Sequence, residues 1–160
     1  MADAIVFLKE DHKVVERLFK KLEALGDGAT KSKRNLVDEI LDELAVHAAI
    51  EERVFYTAIR EVAKDEVLEG YEEHHVFEQT MAELRDLDVE AENFDAKVGV
   101  LMEMVRHHVE EEEQDMFPKV REAMGRNELK AIGERLEQAK ALDPYPSGDT
   151  PATPRTSDRL

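Results

Sequence analysis

Cysteine and tryptophan are absent from the 160 residues. Without cysteine there is no disulfide, thiolate metal site, iron–sulfur cluster or cysteine nucleophile. Proline is scarce and late: all five lie at Pro118 or beyond, so none interrupts the first 117 residues. Long apolar runs are missing as well. The longest, Ile5 to Leu8 and Val98 to Met102, fall far short of the roughly 20 residues that a membrane helix needs. Positive charge is in deficit, with 22 Lys and Arg against 38 Asp and Glu, giving a net charge of -16 and a pI near 4.8. Such a field repels phosphate backbones and anionic membranes, so neither nucleic acid nor membrane is expected as a partner. Asp3 stands where a signal peptide would carry positive charge, so a cytoplasmic location is expected.

The composition that remains is 42% hydrophobic and 38% charged, enough for one domain with an economical core. Ala, Leu, Glu, Lys, Met and Arg dominate the first 117 residues, which favours helix. Five helices are expected. The first runs from Ala4 to Leu25, before the stop Gly26-Asp27-Gly28; the second starts after Thr30 or Ser32, with a 3.6-residue apolar stripe from Leu36 to Val62. A third covers Glu66 to Leu87, a fourth begins near Asn93, and a shorter fifth follows Gly125. Long helices with short connections predict an all-α, up-down antiparallel four-helix bundle over residues 1–142, the fifth helix packing across it or serving a dimer. The segment 143–160 holds four of the five prolines and little apolar surface, the composition of a disordered tail.

A repeat is hidden in this pattern. Glu10-Asp11-His12-Lys13-Val14-Val15-Glu16 matches Glu72-Glu73-His74-His75-Val76-Phe77-Glu78, 62 residues on. His47 to Thr57 matches His108 to Pro118, 61 residues on, in the His, the two Glu after it and an aromatic nine residues later, Tyr56 or Phe117. Helices one and two therefore read as a copy of helices three and four. The repeated element is His followed four positions later by Glu, a spacing that turns about 40° and rises about 6 Å on a helix, so both side chains leave one face. Five of the six histidines have that Glu. His47 and Glu51 share the apolar stripe of Ile40, Leu44 and Val54, and His108 and Glu112 share that of Leu101, Val105 and Met116. Buried His and Glu cost several kcal/mol unless paired or metal-bound, so coordinated metal is expected over a purely structural network.

Imidazole and carboxylate without thiolate suit iron, manganese or zinc, and two facing carboxylates suit a pair of metals. A symmetric arrangement gives one metal His12 and His47 and the other His74 and His108. Glu51 and Glu112 then bridge, and Glu16 and Glu78 serve as terminal ligands.

These motifs, together with Glu113 and Phe117-Pro118, resemble the hemerythrin-like, or HHE cation-binding, family over residues 4–124. The resemblance implies a four-helix bundle holding a non-haem di-iron centre, two iron ions with an oxo or hydroxo bridge, zinc or manganese being less favoured. It also implies small-molecule partners: oxygen, peroxide or nitric oxide. Oxygen-carrying members use five histidines, two of them four apart on helix three, where this chain has Glu78. An anionic ligand there stabilises ferric iron and disfavours oxygen carriage, which makes catalase-like peroxide turnover the favoured function. Binding or sensing of oxygen, nitric oxide or iron without turnover is the alternative, and a structural bundle with adventitious zinc a third reading. A monomer or weak homodimer is expected.

Beside the ligands, His75 and His107 point about 100° away and are expected at the surface or behind the ligands. Glu52 and Glu113 are expected at a helix boundary or in salt bridges. Packing is favoured for Tyr56, Phe117 and Tyr71, although either tyrosine has a hydroxyl able to reach the metals or their ligands.

Overall fold

The computed structural model describes residues 2–142, and the tail expected from 143 onward lies outside them. Helix α1 is Ala4–Glu23, started by the Asp3 carboxylate, which accepts from the Val6 N–H at 2.9 Å. It ends two residues before the expected Leu25, and Gly28, at φ 84°, turns the chain in a conformation that suits glycine. Helix α2 is Thr30–Ile50, continued by a π-helical segment, Glu51–Tyr56, into Thr57–Ile59. Helix α3 is Lys64–Asp86. Helix α4 is Phe94–Glu111, again continued by a π-helical segment, Glu112–Met116, into Phe117–Ala123. Helix α5 is Arg126–Ala141. The four long helices form the expected up-down bundle, and no strand occurs among the described residues.

The interior is divided along the helix axes. One apolar cluster gathers Ile5 and Leu8 of α1, Ile50 and Phe55 of α2, Val67 and Tyr71 of α3, and Phe117 and Val120 of α4. Another gathers Val15 and Phe19, Leu41 and Leu44, Phe77 and Leu84, and Leu101 and Val105 from the same four helices. On each helix the buried polar residues fall where one cluster gives way to the other: Asp11 and His12, His47 and Glu51, His74, and His108 and Glu112. The bundle therefore has two greasy ends and a polar belt between them.

Helix α5 belongs to one end only, burying Leu129, Ile132 and Leu136 in the first cluster, mainly against α1. Of the two expected uses of this helix, packing across the bundle is the one its apolar stripe serves. The approach is close at Gly133, where an added Cβ would sit 2.4 Å from the Ala2 carbonyl oxygen.

Candidate metal centre

Six of the eight candidate ligands meet in the belt, in two groups that share both glutamates. His12, His47, Glu51 and Glu112 can each offer one atom within 4.8 Å of the others, and so can Glu51, His74, His108 and Glu112. All six side chains are buried. Each shared carboxylate splits its oxygens between the groups. Glu51 sets Oε2 at 3.2 Å from His47 Nε2 and Oε1 at 3.1 Å from His74 Nε2. Glu112 sets Oε2 at 3.3 Å from His12 Nε2 and Oε1 at 3.0 Å from His108 Nε2. The groups are also alike in shape. The His12 and His47 rings lie 5.0 Å apart with planes at 61°, and the His74 and His108 rings 4.9 Å apart at 60°.

These residues fit a pair of cations. Both ring nitrogens of His12, Nε2 of His47, both oxygens of Glu51 and Oε2 of Glu112 are buried without a hydrogen-bond partner. Lone pairs that face one another without a shared proton suit a positive ion between them, and burial without one is costly. Protonation of His47, His74 and His108 supplies that charge when no metal does. Burial opposes it at His47, but the Glu51 carboxylate and a bond to Asp11 carry its pKa up to about 10. His108, against burial, is pushed well up by Glu112. Burial likewise opposes ionisation of Glu51, yet His47, His108 and His74 hold its pKa well below the usual carboxylate range. Metal binding here would displace protons.

Glu16 and Glu78 stand outside both groups. Glu16 shares the i+4 spacing but turns toward α4, where the Arg106 guanidinium donates to both its oxygens at 3.0 and 2.9 Å. Glu78 is half-buried on α3, and its carboxylate joins neither set. The symmetric eight-residue arrangement thus contracts to six at the belt. Glu16→Gln is expected to leave the metal stoichiometry unaltered and to cost under about 1 kcal/mol, since the Arg106 pair is over a third exposed. Metal analysis and a thermal melt check both.

The π-helical segments explain two further residues. On a regular α-helix a residue five positions beyond Glu51 points about 140° away. An i→i+5 turn brings it back beneath, and the Phe117 N–H does donate to the Glu112 carbonyl. Tyr56 and Phe117, each five beyond a shared glutamate, therefore enter the site. Phe117 stacks on His12 at 5.9 Å and 6°, and Tyr56 on His74 at 5.4 Å and 17°. Packing is the role expected for both, but Tyr56 does more: its hydroxyl donates to Glu112 Oε1 at 2.7 Å. Burial, with Glu112 and Glu51 nearby, pushes its pKa well up, so the phenol stays protonated. Tyr71 packs edge-on against Tyr56 at 5.3 Å and sends its hydroxyl to the Glu52 carbonyl at 3.5 Å.

Gly70 makes room for that phenol. A Cβ there would lie 2.4 Å from the Tyr56 hydroxyl and 2.7 Å from Cζ. Gly70→Ala is expected to push Tyr56 off Glu112 and to cost about 1–3 kcal/mol, read as a lower melting temperature.

Carboxylates next to the ligands face the outer ring nitrogens. Asp11 Oδ2 lies 3.0 Å from His47 Nδ1, and its repeat partner Glu73 lies 3.1 Å from His108 Nδ1. Glu52 lies 3.5 Å from His74 Nδ1 and Glu113 3.7 Å from His12 Nδ1. Glu52 and Glu113, expected at a helix boundary or in salt bridges, both stand within ion-pair distance of a histidine. Asp11 and Glu73 were not singled out by sequence reasoning, although both immediately precede a histidine in the repeat. His107 faces solvent beside Glu111, and His75 contacts Gln79.

The hemerythrin HHE cation binding domain family matches residues 3–120 of the chain. A solved structure of a hemerythrin HHE cation binding domain-containing protein from Mycobacterium kansasii is similar, with 26% identity and a TM-score of 0.75 over 89% of this chain and 90% of that one. An uncharacterized hemerythrin-like protein of Schizosaccharomyces pombe is 24% identical over 148 residues, 90% of this chain and 70% of that protein. A Nostoc protein named as a DNA nickase is 24% identical over 135 residues, 84% of this chain, but the match spans only 38% of the Nostoc protein.

Proposed function

Because the chain belongs to the hemerythrin HHE cation binding family, we propose that its two buried groups hold a pair of iron ions and that the protein turns over hydrogen peroxide. His12 and His47 would hold one ion, His74 and His108 the other, and Glu51 and Glu112 would serve both. An iron pair supplies two linked one-electron changes, which suits the conversion of two peroxides into two waters and one oxygen. The protein's own part is to keep the pair dry and to place protons. Phe117 over His12 and Phe77 against His108, at 5.3 Å, wall the belt with apolar rings.

The observation that carries the reading is the Tyr56 hydroxyl, held at 2.7 Å on a bridging carboxylate oxygen. Breaking an O–O bond makes two basic oxygens, and a neutral phenol beside the metals is a proton source for them. Glu112 accepts from Tyr56 and so fixes where that proton sits.

A net charge of -16 opposes a phosphate backbone, which speaks against the nicking of DNA named for the Nostoc relative. The test is oxygen evolution from added peroxide by protein loaded with iron, against the same protein loaded with zinc. Evolution with iron alone supports turnover. Two bound irons with no evolution would leave reversible binding of oxygen or nitric oxide as the function.

A further inference from the structure

The two halves of the centre are near copies, and one charged side chain breaks the likeness. Each half has a histidine whose outer nitrogen meets a carboxylate: Asp11 on His47 at 3.0 Å, Glu73 on His108 at 3.1 Å. On the first of these, Lys140 of α5 also reaches the other oxygen, Asp11 Oδ1, while the same ammonium stands 6.0 Å from the centre of the Phe7 ring. Glu43 lies 4.0 Å from the same ammonium. Among the described residues no lysine or arginine pairs with Glu73. Helix α5 has no counterpart in the repeat, so this contact is an addition to the symmetric frame.

An imidazole that donates Nδ1–H to a carboxylate gains electron density at its inner nitrogen, and the gain follows the charge left on that carboxylate. An ammonium on the same carboxylate takes up part of that charge, here at a site where Asp11 is only 7% exposed and water screens little. We propose that Lys140, acting through Asp11, loosens the His12/His47 metal position relative to its twin, so that α5 makes the two positions unequal. This rests on the two-metal reading above. Lys140 touches neither metal nor substrate and is a positioning residue.

The experiment is a titration of metal-free full-length protein with ferrous iron, without oxygen, against a chromophoric chelator that resolves two binding steps. Lys140→Met keeps the stem and removes the charge. It is expected to tighten one step about tenfold and leave the other in place, a size in line with other changes behind metal ligands. Glu73→Gln should weaken the opposite step and so identify which is which, and Lys140→Arg should restore the wild-type pair of constants. A lysine that merely packs α5 onto the bundle would give a lower melting temperature with both constants unchanged; that result, or an equal shift in both, overturns the proposal while the dinuclear reading stands. Wild-type protein binding fewer than two ferrous ions overturns both.

Discussion

Glu51→Ala is expected to empty both metal positions at once. The Glu51 carboxylate is fully buried and puts one oxygen against His47 and the other against His74 and, at 3.7 Å, His108. Removing it would take a donor from each position and leave Glu112 as the only carboxylate shared by the two groups. His47→Ala, by contrast, strips one position and leaves His74 and His108 intact, so the two variants should differ in stoichiometry. Bound iron should fall from two per chain to near zero in Glu51→Ala and to about one or less in His47→Ala. The metal-free protein should suffer too. Truncating one member of a buried charged set costs about 3–5 kcal/mol, and here three histidines lose a compensating carboxylate. Metal analysis and melting curves with and without iron read both effects. Glu51→Ala protein that still holds two ions would remove Glu51 from the bridge.

The second large effect is kinetic. Tyr56→Phe keeps the ring that stacks on His74 and removes only the hydroxyl that donates to Glu112. Iron content should stay at two per chain and stability should move by about 1 kcal/mol, the worth of one hydrogen bond. Oxygen evolution from peroxide should fall by at least about 100-fold, the lower range of what a positioned proton donor contributes. A mutant that binds iron and evolves oxygen at the wild-type rate would show that the protons come from elsewhere. Gly70→Ala approaches the same group from behind: it should lower turnover by displacing the phenol and, unlike Tyr56→Phe, should also lower the melting temperature.

Most of this centre was legible in the sequence because helical spacing is a rigid rule. His47 with Glu51 and His108 with Glu112 sit four apart on apolar stripes, and two copies of one pattern announced a paired site. The same rule misplaced Glu16. Spacing fixes which face a side chain leaves from, and the final turn of a long, flexible side chain depends on what the neighbouring helix offers; α4 offers Arg106. The entry of Tyr56 was hidden for a different reason. A π-helical segment shifts every later residue around the axis, and no composition signal marks where the wide turn falls. Only the aromatic recurring nine residues after His47 and after His108 pointed to it. Asp11 and Glu73 were visible as letters in the repeat, but their bonds cross between helices, and a single strand of text does not show which helices meet.

The polar belt has a consequence for how the molecule holds together. A continuous apolar core couples distant parts of a small domain into one all-or-none unit. Here that continuity is interrupted at mid-height on all four long helices by imidazoles and carboxylates. The two ends communicate across a layer whose cohesion is ionic, and metal is its strongest cement. Stripped of metal, the bundle has a natural seam: amide hydrogens near Phe19, Leu41 and Leu84 and those near Phe55, Phe117 and Leu129 would exchange with separate opening energies. With metal bound, the two populations would merge, and the belt would become the rivet that makes one cooperative body out of two.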